Sequence, residues 1–79
     1  MRLDKYLKVS RLIKRRTVAN EACDAGKVTV NGKAARASTP LKEGDIVEIS
    51  ISSVPLKVRV VKISEHVTKD GAGEMFEPV

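Results

Sequence analysis

The sequence predicts an α+β domain in which two or three short N-terminal helices pack on a small, mainly antiparallel twisted sheet. Three observations predict it. Apolar residues recur at helical spacing up to Gly26. Val28 and Val30 then alternate with polar residues and run into Asn31-Gly32, a strong signal for a two-residue hairpin turn. Beyond it lie two β-branched runs, at 46–51 and 56–63, separated by turn-forming residues.

The first helix is expected over Arg2 to about Lys8. Leu3, Tyr6 and Leu7 fall on one arc, and Arg2, Lys5 and Lys8 on the opposite side. A longer helix would carry Val9 and Leu12 onto the basic side, so it should end near Val9 or Ser10. Asp4 lies in the first turn, where a carboxylate suits the helix dipole and can also steer a neighbouring arginine. Ser10 to Arg16 is a turn with four basic residues in seven, with Leu12 and Ile13 tucked beneath it.

A second helix should open at Arg15-Arg16 and run to about Ala25, with Gly26 as its left-handed cap. Its apolar stripe is Val18, Ala19, Ala22 and Cys23, mostly small residues that let another element approach closely. Two arginines at a helix N-terminus oppose its dipole, a local conflict suited to an anion bound there.

After the hairpin of Lys27 to Ala35, Pro40 to Asp45 is a turn with Gly44 as its positive-φ residue. Leu56, Val58 and Val60 should share the buried face of the last long strand, with Lys57 and Arg59 pointing away. Those two either add to the basic side or keep an edge strand soluble. The phase shift at Val60-Val61 marks a bulge or the end of the half-buried part. The domain proper is expected over 1–63, and 64–79 as a tail anchored by Met75 and Phe76 or else frayed.

Net charge is +5, unevenly spread. Met1 to Arg36 holds ten Lys/Arg against three Asp/Glu, and Ala37 to Val79 five against seven. A basic half beside a mildly acidic one attracts phosphate polymers or anionic lipid heads, unless it is merely a solvated face. The narrow apolar arc of the first helix lacks the bulky face a membrane-surface helix inserts, so no membrane partner is expected. Tyr6 and Phe76 are the only aromatics, too few for binding by stacking several bases.

Seventy-nine residues leave little room for a deep substrate pocket. Lone Cys23 and lone His66 supply neither a disulfide nor a Cys/His zinc site, and neither has a partner for nucleophilic catalysis. Cys23 reads as a small core residue, and Tyr6 as a core residue with its hydroxyl at the rim. The expectation is a monomeric, non-catalytic cytoplasmic protein with no catalytic residues, metal or cofactor.

RLDKYL (Arg2 to Leu7), Ser10-Arg11, a second helix closing at Gly26 and VTVNG (Val28 to Gly32) together resemble the S4-like RNA-binding domain and its αL motif. The resemblance covers roughly Met1 to Ile51. It departs from the wider family at Arg15, where many members place a Ser or Thr cap. Within the family, RLDKYLKVSRLIKRR (Arg2 to Arg16) and the Met75-Phe76 pair resemble stand-alone bacterial members of the RqcP (YabO) type, which act in ribosome-associated quality control. The heat-shock-induced branch is the second resemblance.

The RqcP-type resemblance implies binding to large ribosomal subunit RNA and peptidyl-tRNA. It implies a tRNA held in the P-site state while an RqcH/NEMF-type tailing factor adds C-terminal alanine. The heat-shock branch implies recycling of large subunits with trapped nascent chains, without tailing. The RNA-binding residues expected are Arg2, Asp4, Lys5, Lys8, Arg11, Lys14, Arg15 and Arg16. Arg2 and Arg16 form the central pair, one at each end of the basic edge.

Overall fold

The computed structural model describes residues 1–64 and 71–79. His66 lies outside the described residues. The element order is α1 (Leu3–Val9), α2 (Arg16–Asp24), β1 (Val28–Val30), β2 (Lys33–Ala34), β3 (Ile46–Ile49), β4 (Leu56–Val60), a 3-10 turn (Ala72–Glu74) and β5 (Phe76–Pro78). The strands form one antiparallel sheet in the order β2-β1-β3-β4-β5. This is the α+β architecture the sequence predicts, with two α-helices on one face of the sheet.

Helix α1 starts one residue later than expected, because Arg2 is pulled into a β-bridge with Pro40. No side chain caps this helix. Its first N–H groups instead donate to loop carbonyls, Leu3 to Thr39 at 2.8 Å and Asp4 to Ala37 at 3.1 Å. The helix stops at Val9, and Arg11 then takes a left-handed conformation at φ 63°. That conformation costs a side-chain-bearing residue about 1–2 kcal/mol. The turn is further tied down by the Ile13 N–H, which donates to the Leu7 carbonyl.

Helix α2 ends in a complete Schellman cap. The Gly26 N–H donates to Cys23 O and the Lys27 N–H to Ala22 O, both at 3.0 Å, with Gly26 at φ 76°. Ala19, Ala22 and Cys23 are buried, but Val18 is 41% exposed. The stripe is therefore narrower than the sequence suggests. The i, i+3, i+4 positions meet the core, and Val18 lies on the flank.

Asn31 (φ 53°) and Gly32 (φ 83°) give the hairpin two consecutive left-handed residues, as a type I′ turn requires. Asn31 does more than turn the chain. Its Nδ2 donates to Asp45 Oδ1 at 3.1 Å and its Oδ1 accepts the Ile46 N–H at 3.0 Å. Asp45 Oδ2 also accepts the Lys42 N–H. This clamp ties the hairpin to the turn at Gly44 and aligns β1 with β3.

Strands β3 and β4 are shorter than expected, ending at Ile49 and Val60. The β4 phase shift marks the strand's end, with Val61 44% exposed. Val58 and Val60 are buried, but Leu56 is 44% exposed, since it stands at the outermost position of the strand where the core layer runs out. Lys57 pairs in register with Glu48, and Arg59 with Glu77, to which it is salt-bridged. These residues alternate with the buried valines, so they face away from the helices and do not extend the helical basic surface.

The core joins Leu3, Tyr6 and Leu7 to the inner faces of α2 and the sheet, and Met75 completes it. Met75 is fully buried. Its carbonyl accepts the Val61 and Lys62 N–H groups and the Tyr6 hydroxyl. The Tyr6 hydroxyl is therefore interior, not at the rim, because the segment carrying Met75 folds over it.

Candidate nucleic-acid interface

The basic half of the sequence becomes a surface built on one carboxylate. Asp4 is only 2% exposed, yet it sits between two long cations. Arg2 donates from Nε to Oδ1 at 3.2 Å and from Nη2 to Oδ2 at 3.3 Å. Arg16 donates from Nε to Oδ2 at 3.3 Å and from Nη2 to Oδ1 at 3.5 Å. Asn20 adds Nδ2 to Oδ2 at 3.3 Å, and the Lys5 N–H donates to Oδ1 at 2.8 Å. The two arginine side chains remain 51% and 47% exposed. Each spends Nε and one Nη on Asp4 and keeps its other N–H donors for a second partner.

Local folding explains each position. The bridge to Pro40 fixes the Arg2 backbone, and the first turn of α1 holds Asp4 inward. Arg15 is the N-cap of α2 without a side-chain cap, so Arg16 is the first helical residue and Asn20 lies one turn on along the same face. Arg2 and Arg16 are consequently neighbours, not the two ends of an edge. The α1–α2 packing brings them onto one carboxylate.

Burial pushes the Asp4 carboxyl up. The hydrogen bonds from Asn20 and Arg16, the Arg16 charge and the Lys5 N–H outweigh it and hold the group below its ordinary value of 3.8. Asp4 therefore stays ionised and saturated with donors. It organises the arginines, and its lone pairs are already engaged.

Lys8, Arg11, Lys14 and Arg15 are exposed along α1 and the turn after it, and no hydrogen bond among the described residues draws them into the Asp4 cluster. Lys5 is half-buried. An open groove of about 450 Å³ runs beside the paired guanidiniums, lined also by Thr17, Asn20 and Glu21. Sequence reasoning missed these three. The i, i+4 spacing of Arg16 and Asn20 was the available signal for Asn20.

Cys23 is buried, and burial with the nearby charges of Asp4 and Asp24 pushes its thiol up to about 11. Native protein at pH 8 should resist iodoacetamide, with modification by mass spectrometry appearing only in denaturant. Rapid alkylation of the folded chain would contradict its placement in the core.

Residues 1–47 match the family model of the S4 domain. Over 77 residues the chain is 52% identical to the RQC P-site tRNA stabilizing factor of Streptococcus pneumoniae and 49% identical to that of Halalkalibacterium halodurans. In each case the match spans 98% of this chain and 88% of the relative. The fold superposes on the trimeric structure of Vibrio cholerae Heat Shock Protein 15 with a TM-score of 0.92 at 26% identity, covering 100% of this chain and 81% of that one. The chain belongs to the S4 domain family and, within it, to the RQC P-site tRNA stabilizing factors.

Proposed function

We propose that this chain is a non-catalytic, cytoplasmic RNA-binding factor of ribosome-associated quality control. It binds the large ribosomal subunit that still carries peptidyl-tRNA and holds that tRNA in the P-site state. In this state an RqcH/NEMF-type partner extends the stalled peptide with C-terminal alanine. Arg2 and Arg16 grip RNA phosphate, and Lys5, Lys8, Arg11, Lys14 and Arg15 add attraction that weakens with salt through counterion release.

The observation that carries the reading is the pair of half-exposed guanidiniums held on the buried Asp4 carboxylate, in the half of the chain with most of the positive charge. The names and near-complete coverage of the relatives support the pathway. In this reading the chain acts as a single copy.

Density-gradient sedimentation of the tagged protein from lysate, with mass spectrometry of its companions, tests the reading. The expected result is co-migration with large subunits carrying peptidyl-tRNA, together with a tail-adding partner. Co-migration with such subunits but persistently without that partner would favour the recycling role of the heat-shock branch. Protein left at the top of the gradient would overturn ribosome association.

A further inference from the structure

The Asp4 cluster raises a question that RNA attraction alone does not answer. A carboxylate on an anion-binding surface repels phosphate and cancels one of the two positive charges beside it. Its value must lie in geometry. Asp4 receives both guanidiniums in bidentate fashion, which orients two planar forks together. Such orientation is useful only if the carboxylate itself is fixed.

Two groups besides the arginines fix it. One is the Lys5 N–H, which is part of the α1 backbone. The other is the Asn20 side chain, which comes from α2 and bonds the same oxygen as Arg16 Nε. The amide orientation is dictated by chemistry, since the opposite flip would set the Asn20 carbonyl oxygen against a carboxylate. Asn20 is half-buried in the groove wall, so solvent competes only partly for this bond.

We propose that Asn20 is a positioning residue of the RNA-binding surface. Its amide locks the Asp4 carboxylate, and Asp4 in turn holds Arg2 and Arg16 side by side. The inference rests on the proposed role of those two arginines. Asn20 carries no charge, so its contribution separates from electrostatic attraction.

The test is a double-mutant cycle on purified large ribosomal subunits carrying peptidyl-tRNA, with Asn20→Leu, which is similar in size but has no donor. In the otherwise native chain it should weaken binding roughly 3- to 10-fold, the range of one lost hydrogen bond. The dependence of binding on salt should keep its slope, since no phosphate contact is lost. In an Arg2→Ala/Arg16→Ala background the same substitution should have almost no further effect. In the free protein, the Arg16 Nε–H should lose order by ¹⁵N relaxation, and the melting temperature should fall by only about 2–12 °C, the cost of one lost hydrogen bond, with the fold retained. Asn20→Ala repeats the measurement should the leucine variant fold poorly.

If either arginine substitution weakens binding but neither Asn20 variant does, the positioning role is overturned and the arginine grip stands. Equal weakening by Asn20→Leu in both backgrounds would also overturn it, because Asn20 would then act independently of the arginines. If loss of both arginines leaves binding as tight as in the native chain, the arginine grip fails and the positioning role falls with it.

Discussion

Alanine at Tyr6 is expected to leave much of the chain unfolded at 37 °C. Tyr6 is fully buried at the centre of the core, between the helices and the segment carrying Met75. Emptying an aromatic site of this kind costs about 3–5 kcal/mol. A chain of 79 residues has roughly 4–12 kcal/mol of stability in all, and a small core favours the low end. Phenylalanine at the same position should cost only about 0.5–1.5 kcal/mol, because the Met75 carbonyl keeps the Val61 and Lys62 N–H groups when the hydroxyl is lost.

The hydroxyl also has a pH signature. Burial pushes Tyr6 from its ordinary value of 10.0 up to about 12. Because the folded value is raised, this contribution is fully present below pH 10 and is lost as pH rises through about 12. Tyr6→Phe should lack that alkaline loss. Urea melts followed by circular dichroism check all three statements. A Tyr6→Ala protein melting close to the native chain would show that the aromatic ring does not organise the core.

Single substitution of Arg2 or Arg16 by alanine should weaken binding to large subunits by roughly 10- to 150-fold, equivalent to about 1.5–3 kcal/mol for a charge-assisted contact. Each should also reduce the slope of log affinity against log salt by about 1. Either single variant leaves the other guanidinium, Asn20 and the Lys5 N–H on Asp4, so the carboxylate is not stranded. The double variant leaves Asp4 with fewer partners and must be shown to be folded before its binding is read. Arg16→Lys is the informative control, since it keeps the charge but cannot form the planar fork. It should recover only part of the affinity. Full recovery would mean that charge alone matters.

Much of the fold was legible because its signals are local. Asn31-Gly32 after Val28 and Val30 announces a hairpin within five residues, and Gly26 announces the end of α2 within one. What escaped was longer in range. The clamp from Asn31 to Asp45 spans 14 positions, and the sequence gives no sign that a turn residue will also hold a second turn. Helical periodicity placed Asp4 near Arg2, but the arrival of Arg16 and Asn20 depends on how α1 and α2 cross. Val18 and Leu56 fit their apolar patterns and yet are partly exposed, since periodicity gives the face of an element but not where its cover ends. The left-handed Arg11 had no signal at all, because an arginine is not the residue such a site favours.

The most direct test of the central claim is a structure of this chain bound to a large ribosomal subunit carrying peptidyl-tRNA. The account predicts the guanidiniums of Arg2 and Arg16 within hydrogen-bonding distance of RNA, both still seated on Asp4, with the Glu48–Lys57 and Arg59–Glu77 face of the sheet turned away. RNA lying against that sheet face, with the Arg2–Asp4–Arg16 cluster open to solvent, would contradict it.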